Sequence, residues 1–164
     1  IDITVIYDGY HGDTSKMFLI GDKVPIIAQR LCRVAQEALY LGIKMVQPKR
    51  DLKEIGRAIQ KYAEKNHYST VRDYCGHGIG SEFHESDFQV LHYDTPLVAS
   101  NILEPGLTFT IEPMINAGTY KVRVMPDQWT VITKDHKPSA QWEHTILVTE
   151  TGYEVLTLRE DEVI

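Results

Sequence analysis

The sequence predicts an α+β domain in which two helices cover one face of a mostly antiparallel sheet. Three observations carry this. Apolar residues recur at helical spacing in two segments, Ile27 to Leu39 and Leu52 to Tyr62. Extended, glycine-punctuated patterns occupy the first twenty or so residues and most of the chain beyond Ser69. The 164 residues contain no linker, low-complexity segment or short-period repeat, so residues 1–164 are expected to form a single catalytic-sized domain with one core.

The first strand is Ile1-Asp2-Ile3-Thr4-Val5-Ile6, whose alternation sets Asp2, Thr4 and Ile6 on one face. Asp8-Gly9 is a turn signal, and a second extended run from Thr14 to Ile20 gives a hairpin or a looser two-strand loop. Because Ile1 is not methionine and the strand pattern starts at once, the chain is expected to begin mid-domain. Asp22 and Pro25 open the first helix, with Ile27, Leu31, Val34, Ala35, Ala38 and Leu39 on its apolar face and its end near Gly42. After Pro48, Asp51 and Glu54 form a capping-box pattern ahead of Leu52, Ile55, Ile59 and Tyr62, the second helix. Further strands are expected at Thr70 to Cys75, Thr108 to Glu112, Trp129 to Thr133 and Trp142 to Thr149, the second of them behind a Pro105-Gly106 turn.

Composition narrows the function classes. Hydrophobic residues make up 43% and charged residues 24%, ordinary for a folded globular chain. A net charge of -6 leaves no basic surplus for phosphates, so nucleic acid is not an expected ligand. Cys32 and Cys75 stand far apart in no ligand spacing and cannot build a disulfide framework, which fits a reducing compartment. No apolar stretch approaches the roughly 20 residues that span a bilayer, so no membrane association is expected and the cytoplasm is the expected location.

Acidic residues inside strand patterns are the first chemical signal, because strands usually avoid them. Asp2, Glu112 and Glu143 each interrupt apolar and β-favouring neighbours. Any one of them alone reads as an exposed edge residue. Asp13 follows Asp2 across the expected hairpin, and the two share a face if the strands pair opposite or one step diagonal. Glu112 takes the face of Thr108 and Thr110, and Glu143 that of Thr145 and Leu147. Carboxylates gathered at a sheet centre repel and are costly to desolvate, so they need raised pKa values or a divalent cation. His77, in Gly76-His77-Gly78-Ile79-Gly80, is the nitrogen donor that completes a carboxylate-rich site; a structural, hydrogen-bonded histidine is the other reading of that turn. His84 is the best second histidine, while His11 and His144 read as structural.

Asp2, Gly12-Asp13-Thr14-Ser15-Lys16, Gly76-His77-Gly78-Ile79-Gly80, Thr110-Ile111-Glu112-Pro113 and Glu143-His144-Thr145 resemble, in order and spacing, the type I methionine aminopeptidases. The resemblance covers nearly the whole chain. It implies the pita-bread fold of the creatinase-like metallopeptidases, with the N-terminal part of that fold missing, and a truncated form whose uncovered apolar surface self-associates or takes a complementing segment. It implies two divalent ions, Co, Mn, Fe or Zn, held by Asp2, Asp13, His77, Glu112 and Glu143, with Asp13 and Glu143 shared between them. It also implies hydrolytic removal of the first methionine from nascent polypeptides or peptides with a free amino terminus. Glu112 and His84 are the implied catalytic residues, Glu112 exchanging a proton and His84 donating to the developing oxyanion, a contact often worth ~3 kcal/mol. His84, Phe83 and Trp129 are the implied substrate contacts, with Trp129 read equally well as a plain core aromatic. The chain departs from the family after His84, where Glu85-Ser86-Asp87-Phe88 replaces the usual Glu-Glu-Pro with one residue more. Two other readings stay open: an Xaa-Pro peptidase of the same fold, and a non-catalytic relative that binds peptides or proteins without metal.

Overall fold

The computed structural model describes residues 1–97 and 99–164, apart from the side chains of Ser86, Asp87 and Phe88. The loop departure at Glu85-Ser86-Asp87-Phe88 therefore lies largely outside the described side chains.

Strands β1 (Asp2–Tyr7) and β2 (Tyr10–Ser15) form the hairpin. Its turn residues Asp8 (φ 49°) and Gly9 (φ 84°) are both left-handed, the conformation that matches the twist of two-residue hairpins. Thr4 pairs with Asp13 and Asp2 with Ser15, so Asp2 and Asp13 are diagonal neighbours on one face. The second strand lies earlier than the Thr14 to Ile20 run suggests, because the Asp8-Gly9 turn fixes its start at Tyr10.

Helix α1 (Ile26–Ile43) starts behind Pro25, and α2 (Lys53–Lys65) behind Leu52. Helix α1 ends one residue past Gly42, where the sequence places its end, and Gly42 has a packing role besides. It lies inside α1 where a Cβ would meet Ile59 Cδ1 at 2.7 Å, so it lets the two helices close on each other. Asp51 Oδ1 accepts the Lys53 N–H at 3.0 Å, while Glu54 turns to Arg50 at 3.5 Å; half of the capping box forms.

The remaining strands are β3 (Ser69–Thr70), β4 (Gly76–Gly78), β5 (Glu85–Val90), β6 (Thr108–Ile111), β7 (Met114–Asn116), β8 (Val122–Val124), β9 (Val131–Thr133), β10 (Ser139–Gln141), β11 (His144–Val148) and β12 (Tyr153–Val155). They pair antiparallel throughout, in a five-stranded sheet ordered β12-β11-β6-β4-β5, a three-stranded sheet ordered β10-β7-β3, and a β8-β9 hairpin. The sheet expected as one is thus divided, at two specific points. Glu112-Pro113 separates β6 from β7, and Trp142-Glu143 separates β10 from β11. Pro113 has no N–H to give to a ladder, so the chain leaves one sheet there and enters the other.

Helix α1 packs on β6, β7 and β10, and α2 on β3 and β5. The core joins Leu31, Val34, Leu39, Ile43, Ile55 and Ile59 of the helices to Phe109, Ile111, Ile115 and Ile146 of the strands. Phe109 and Ile111 face the helices, so strand alternation turns Thr110 to the opposite side. That side carries the chemistry. The β1–β2 hairpin leaves Ile3 (54%) and Val5 (57%) exposed.

Gly56 marks the tightest contact of α2 with the segment after β5: a Cβ there would meet Leu91 O at 2.5 Å and Tyr93 O at 2.7 Å, both backbone atoms. Gly56→Ala is expected to cost about 1–3 kcal/mol despite the helix propensity it gains. Urea midpoints measured at constant m-value check this, and no loss of stability would contradict the close approach.

Candidate metal centre

The side chains gather where the two sheets part and the hairpin lies against them. Ser15 bridges Glu143 in antiparallel fashion, and the Glu143 N–H donates to Ser15 O at 3.2 Å. Thr145 fixes the hairpin from the side: its hydroxyl donates to Asp13 O at 2.8 Å and accepts the Asp13 N–H at 3.0 Å. Asp13, His77 and Glu143 consequently place one ligand atom each within 4.8 Å of one another.

Glu112 reaches the same place from the end of β6. His77 Nε2 stands 3.6 Å from Glu112 Oε1 and 3.9 Å from Asp13 Oδ2. A relay joins the two: the His77 backbone N–H donates to Thr110 Oγ1 at 3.0 Å, and the Thr110 hydroxyl donates to Glu112 Oε1 at 2.8 Å, which orients the Glu112 side chain. Gln141 Nε2 approaches Glu112 Oε2 at 3.4 Å. Asp2 stands close enough to Glu143 for the two carboxyls to shift each other, and Thr4 Oγ1 donates to Asp13 Oδ1 at 3.0 Å. The structure thus brings Asp2, Asp13, His77, Glu112 and Glu143 together.

Electrostatics distinguish this cluster from an ordinary polar network. Burial, then the charges of Glu112, Asp13 and Asp2, pushes Glu143 up to about 10. Burial pushes Glu112 up to about 7, with Thr110 opposing and Asp13 and Asp2 adding. Burial and then Asp13 raise Asp2. His77 is lowered, chiefly by burial, and is therefore neutral near pH 7. Its Nδ1 lies 3.0 Å from Gly78 O, which can only accept, so Nδ1 carries the proton. Nε2 then turns a bare lone pair toward two carboxylates. Glu143 Oε2 is buried with no hydrogen-bond partner. Lone pairs facing lone pairs fit a cation between them, and a backbone carbonyl fixing the far ring nitrogen is how metal-binding imidazoles are held. Mixed carboxylate and imidazole donors suit Mn, Fe, Co or Zn.

Phe83 and His84 stand beside this cluster. The His84 ring lies 4.3 Å from the His77 ring and 4.1 Å from that of Phe83, and Phe83 stacks on His11 at 6.0 Å. Trp129 is elsewhere: it is 87% exposed on the β8–β9 turn, so it is not a core aromatic, and among the described residues it makes no ring contact with Phe83 or His84. His11 and His144 are held by protein partners, Gly80 O at 3.1 Å and Thr157 Oγ1 at 2.9 Å.

Sequence reasoning passes over His92. Fully buried, it accepts the Glu112 N–H on Nε2 at 3.1 Å and is pushed down to about 3 by that burial. It takes up the one N–H that the strand break before Pro113 would strand. The signal was present, a histidine within the apolar run Val90-Leu91-His92-Tyr93, but only the fold shows what it faces.

Comparison with known proteins agrees with this geometry. The family model for metallopeptidase family M24 matches residues 1–150. The chain belongs to metallopeptidase family M24. Within it, the chain is 63% identical to a methionine aminopeptidase of Salmonella typhimurium and 59% identical to one of Escherichia coli, each over 164 residues. Those alignments take in 100% of this chain and 61% of each relative, so the chain spans about three fifths of their length. The crystal structure of methionine aminopeptidase from Rickettsia prowazekii superposes with a TM-score of 0.91 at 50% identity, covering 96% of this chain and 62% of that one. A prolidase from Pyrococcus horikoshii, 24% identical with a TM-score of 0.72, covers 99% of this chain and 40% of its own, and shares the fold. The fold is the pita-bread fold of this family, and the cluster is that of a chain suited to divalent metal ions.

The raised carboxyls set a pH dependence. A carboxyl whose folded pKa exceeds its ordinary 4.5 favours folding while protonated, and that contribution is lost as pH rises through the folded value. His77, His92 and His144 are lowered and act in the opposite sense, but only below 6.5. Metal-free protein is therefore expected to lose stability from pH 6.5 to 9, and Glu143→Gln to flatten that slope. Thermal midpoints in a chelator across this range check it; midpoints that rise with pH would contradict the electrostatics.

Proposed function

We propose that the chain removes the N-terminal methionine from peptides and nascent polypeptides by hydrolysis assisted by two divalent ions. Asp2, Asp13, His77, Glu112 and Glu143 would hold the pair, with Asp13 and Glu143 shared. When bound, the ions supply an activated water and polarise the scissile carbonyl. The observation that carries this reading is the bare His77 Nε2 facing Asp13 and Glu112 beside the partnerless Glu143 Oε2. Identity to enzymes named methionine aminopeptidases supports methionine over proline-directed cleavage.

The protein groups divide the remaining work. Glu112 exchanges a proton with the attacking water and the leaving amine, held by Thr110 at Oε1 and by Gln141 at Oε2. His84 donates to the developing oxyanion and Phe83 lines the pocket for the methionine side chain, both close to His77. Trp129, exposed on the β8–β9 hairpin, would be a further contact for the substrate. Mn, Fe, Co and Zn all satisfy the donors, the cytoplasm is the working compartment, and residues 1–164 act as a single domain around one core. Among the described residues no helix is long and apolar enough to cross a membrane. The apolar side chains exposed on the hairpin support self-association.

Methionine release from a short Met-Ala peptide with added Mn or Co is expected, with an Xaa-Pro peptide left intact. Asp13→Asn should lower it by more than the roughly 10–100-fold that even outer-shell changes at a metal cost. Turnover of the Xaa-Pro peptide alone, or undiminished activity in Asp13→Asn, would contradict the proposal.

A further inference from the structure

The chain after β12 takes no part in the chemistry above, yet it grips both backbones that carry the most buried acids. Arg159 Nη2 donates to Thr14 Oγ1 at 2.6 Å and to Ser15 O at 2.8 Å. Arg159 Nη1 donates to both oxygens of Glu162, at 2.8 and 3.0 Å. Thr14 uses its own proton on Glu143 O at 2.9 Å, so the guanidinium reaches the Glu143 backbone through a single hydroxyl. Ser15 O, the other acceptor, also takes the Glu143 N–H. One side chain therefore holds the residue after Asp13 and, one bond further, Glu143 itself.

The anchor is firm. Glu162 is buried and receives the Tyr40 hydroxyl of α1 at 3.0 Å, and His144 Nε2 lies 3.2 Å away. The Leu156 N–H donates to Thr145 O, and Thr157 Oγ1 accepts the Thr145 N–H at 3.0 Å. Residues 156–162 thus lie along β11 on the helix side, opposite the acids. The guanidinium is paired by two hydrogen bonds to Glu162, and its other bonds go to Thr14 Oγ1 and Ser15 O rather than to either carboxylate. What the contact fixes is spacing.

We propose that Arg159, seated on Glu162, is a positioning residue that sets the separation of Asp13 and Glu143 so that both carboxylates can be shared by two ions. The inference rests on the dinuclear reading of the site. The need for it is physical. Asp13 and Glu143 repel, they sit on the β1–β2 hairpin and at the break before β11, which meet through the Ser15–Glu143 bridge and a few side-chain bonds, and shared ligands must be held within about 0.5 Å of their working geometry. A lysine cannot substitute, because its single ammonium does not present the planar fork that meets Thr14, Ser15 and Glu162 together.

The test is Mn2+ binding to the full chain, by calorimetry for affinity and electron paramagnetic resonance for the exchange-coupled pair. Wild type is expected to bind two Mn2+. In Arg159→Gln and in Thr14→Val the first ion should bind within threefold of wild type. The second should weaken about 10–100-fold, as for other outer-shell changes at metal sites, and the coupled signal should fade. Thr14→Val leaves the Arg159–Glu162 pair intact and decides the matter if Arg159→Gln fails to fold. In a peptide assay kcat should fall with KM within twofold. Two Mn2+ bound at wild-type affinity in Thr14→Val, with only a lowered melting temperature, would overturn the positioning role. A wild-type chain that binds fewer than two Mn2+ would overturn the dinuclear reading instead, and the clasp's role with it.

Discussion

Repulsion among Asp2, Asp13, Glu112 and Glu143, of which Asp13 and Glu143 are buried, is the constraint around which the rest of this structure is arranged. Among the described residues no lysine or arginine pairs with these acids at the centre. Instead the protein leaves Glu143 Oε2 without a partner and turns an unprotonated imidazole nitrogen toward two of the acids. Burial and mutual charge then push Glu143 and Glu112 far above their ordinary range. An arrangement like this is costly when empty and favourable once a divalent cation is inserted, so folding and metal uptake are coupled through the same few atoms.

The architecture supplies the rigidity that such a cluster needs. Helices α1 and α2 load one face of the sheets with Phe109, Ile111, Ile115 and Ile146, which leaves the other face free for polar work. Two of the acids stand at the breaks where strands pass from one sheet to the other, Glu112 before Pro113 and Glu143 after Trp142. A break frees a side chain from the regular pleat but also strands backbone groups. His92 takes up the Glu112 N–H, and Ser15 takes up that of Glu143. Each anomaly in the sheet is thus matched by a hydrogen bond from another element, and the site inherits its precision from those bonds.

Much of this was legible in the sequence, for identifiable reasons. The helices show because their apolar faces repeat over many residues, and the hairpin shows because Asp8-Gly9 admits few conformations. The acids show because carboxylates within β-favouring runs are anomalous. Strands of three residues, such as β7 and β10, are too short to print an alternation, so the division into two sheets was hidden. Gly42 marks the helix end in the sequence, but its packing role stays hidden there because it depends on Ile59, which sequence spacing does not place beside it. His92, Arg159 and Glu162 act only through partners remote in the chain, and no local pattern distinguishes them from ordinary polar residues. Trp129, placed with the substrate contacts on resemblance, stands on an exposed hairpin whose relation to bound peptide the apolar pattern could not reveal.

The family relationship and the local physics reach the centre from different directions. Similarity assigns the chain to the M24 metallopeptidases, whereas the case for a cation rests on lone pairs that face each other in this molecule. Anomalous diffraction from crystals grown with Mn2+ measures that most directly. Two peaks roughly 3.5–4 Å apart, enclosed by Asp2, Asp13, His77, Glu112 and Glu143, are the expected result. Crystals at saturating Mn2+ with no anomalous density among these five side chains would contradict it.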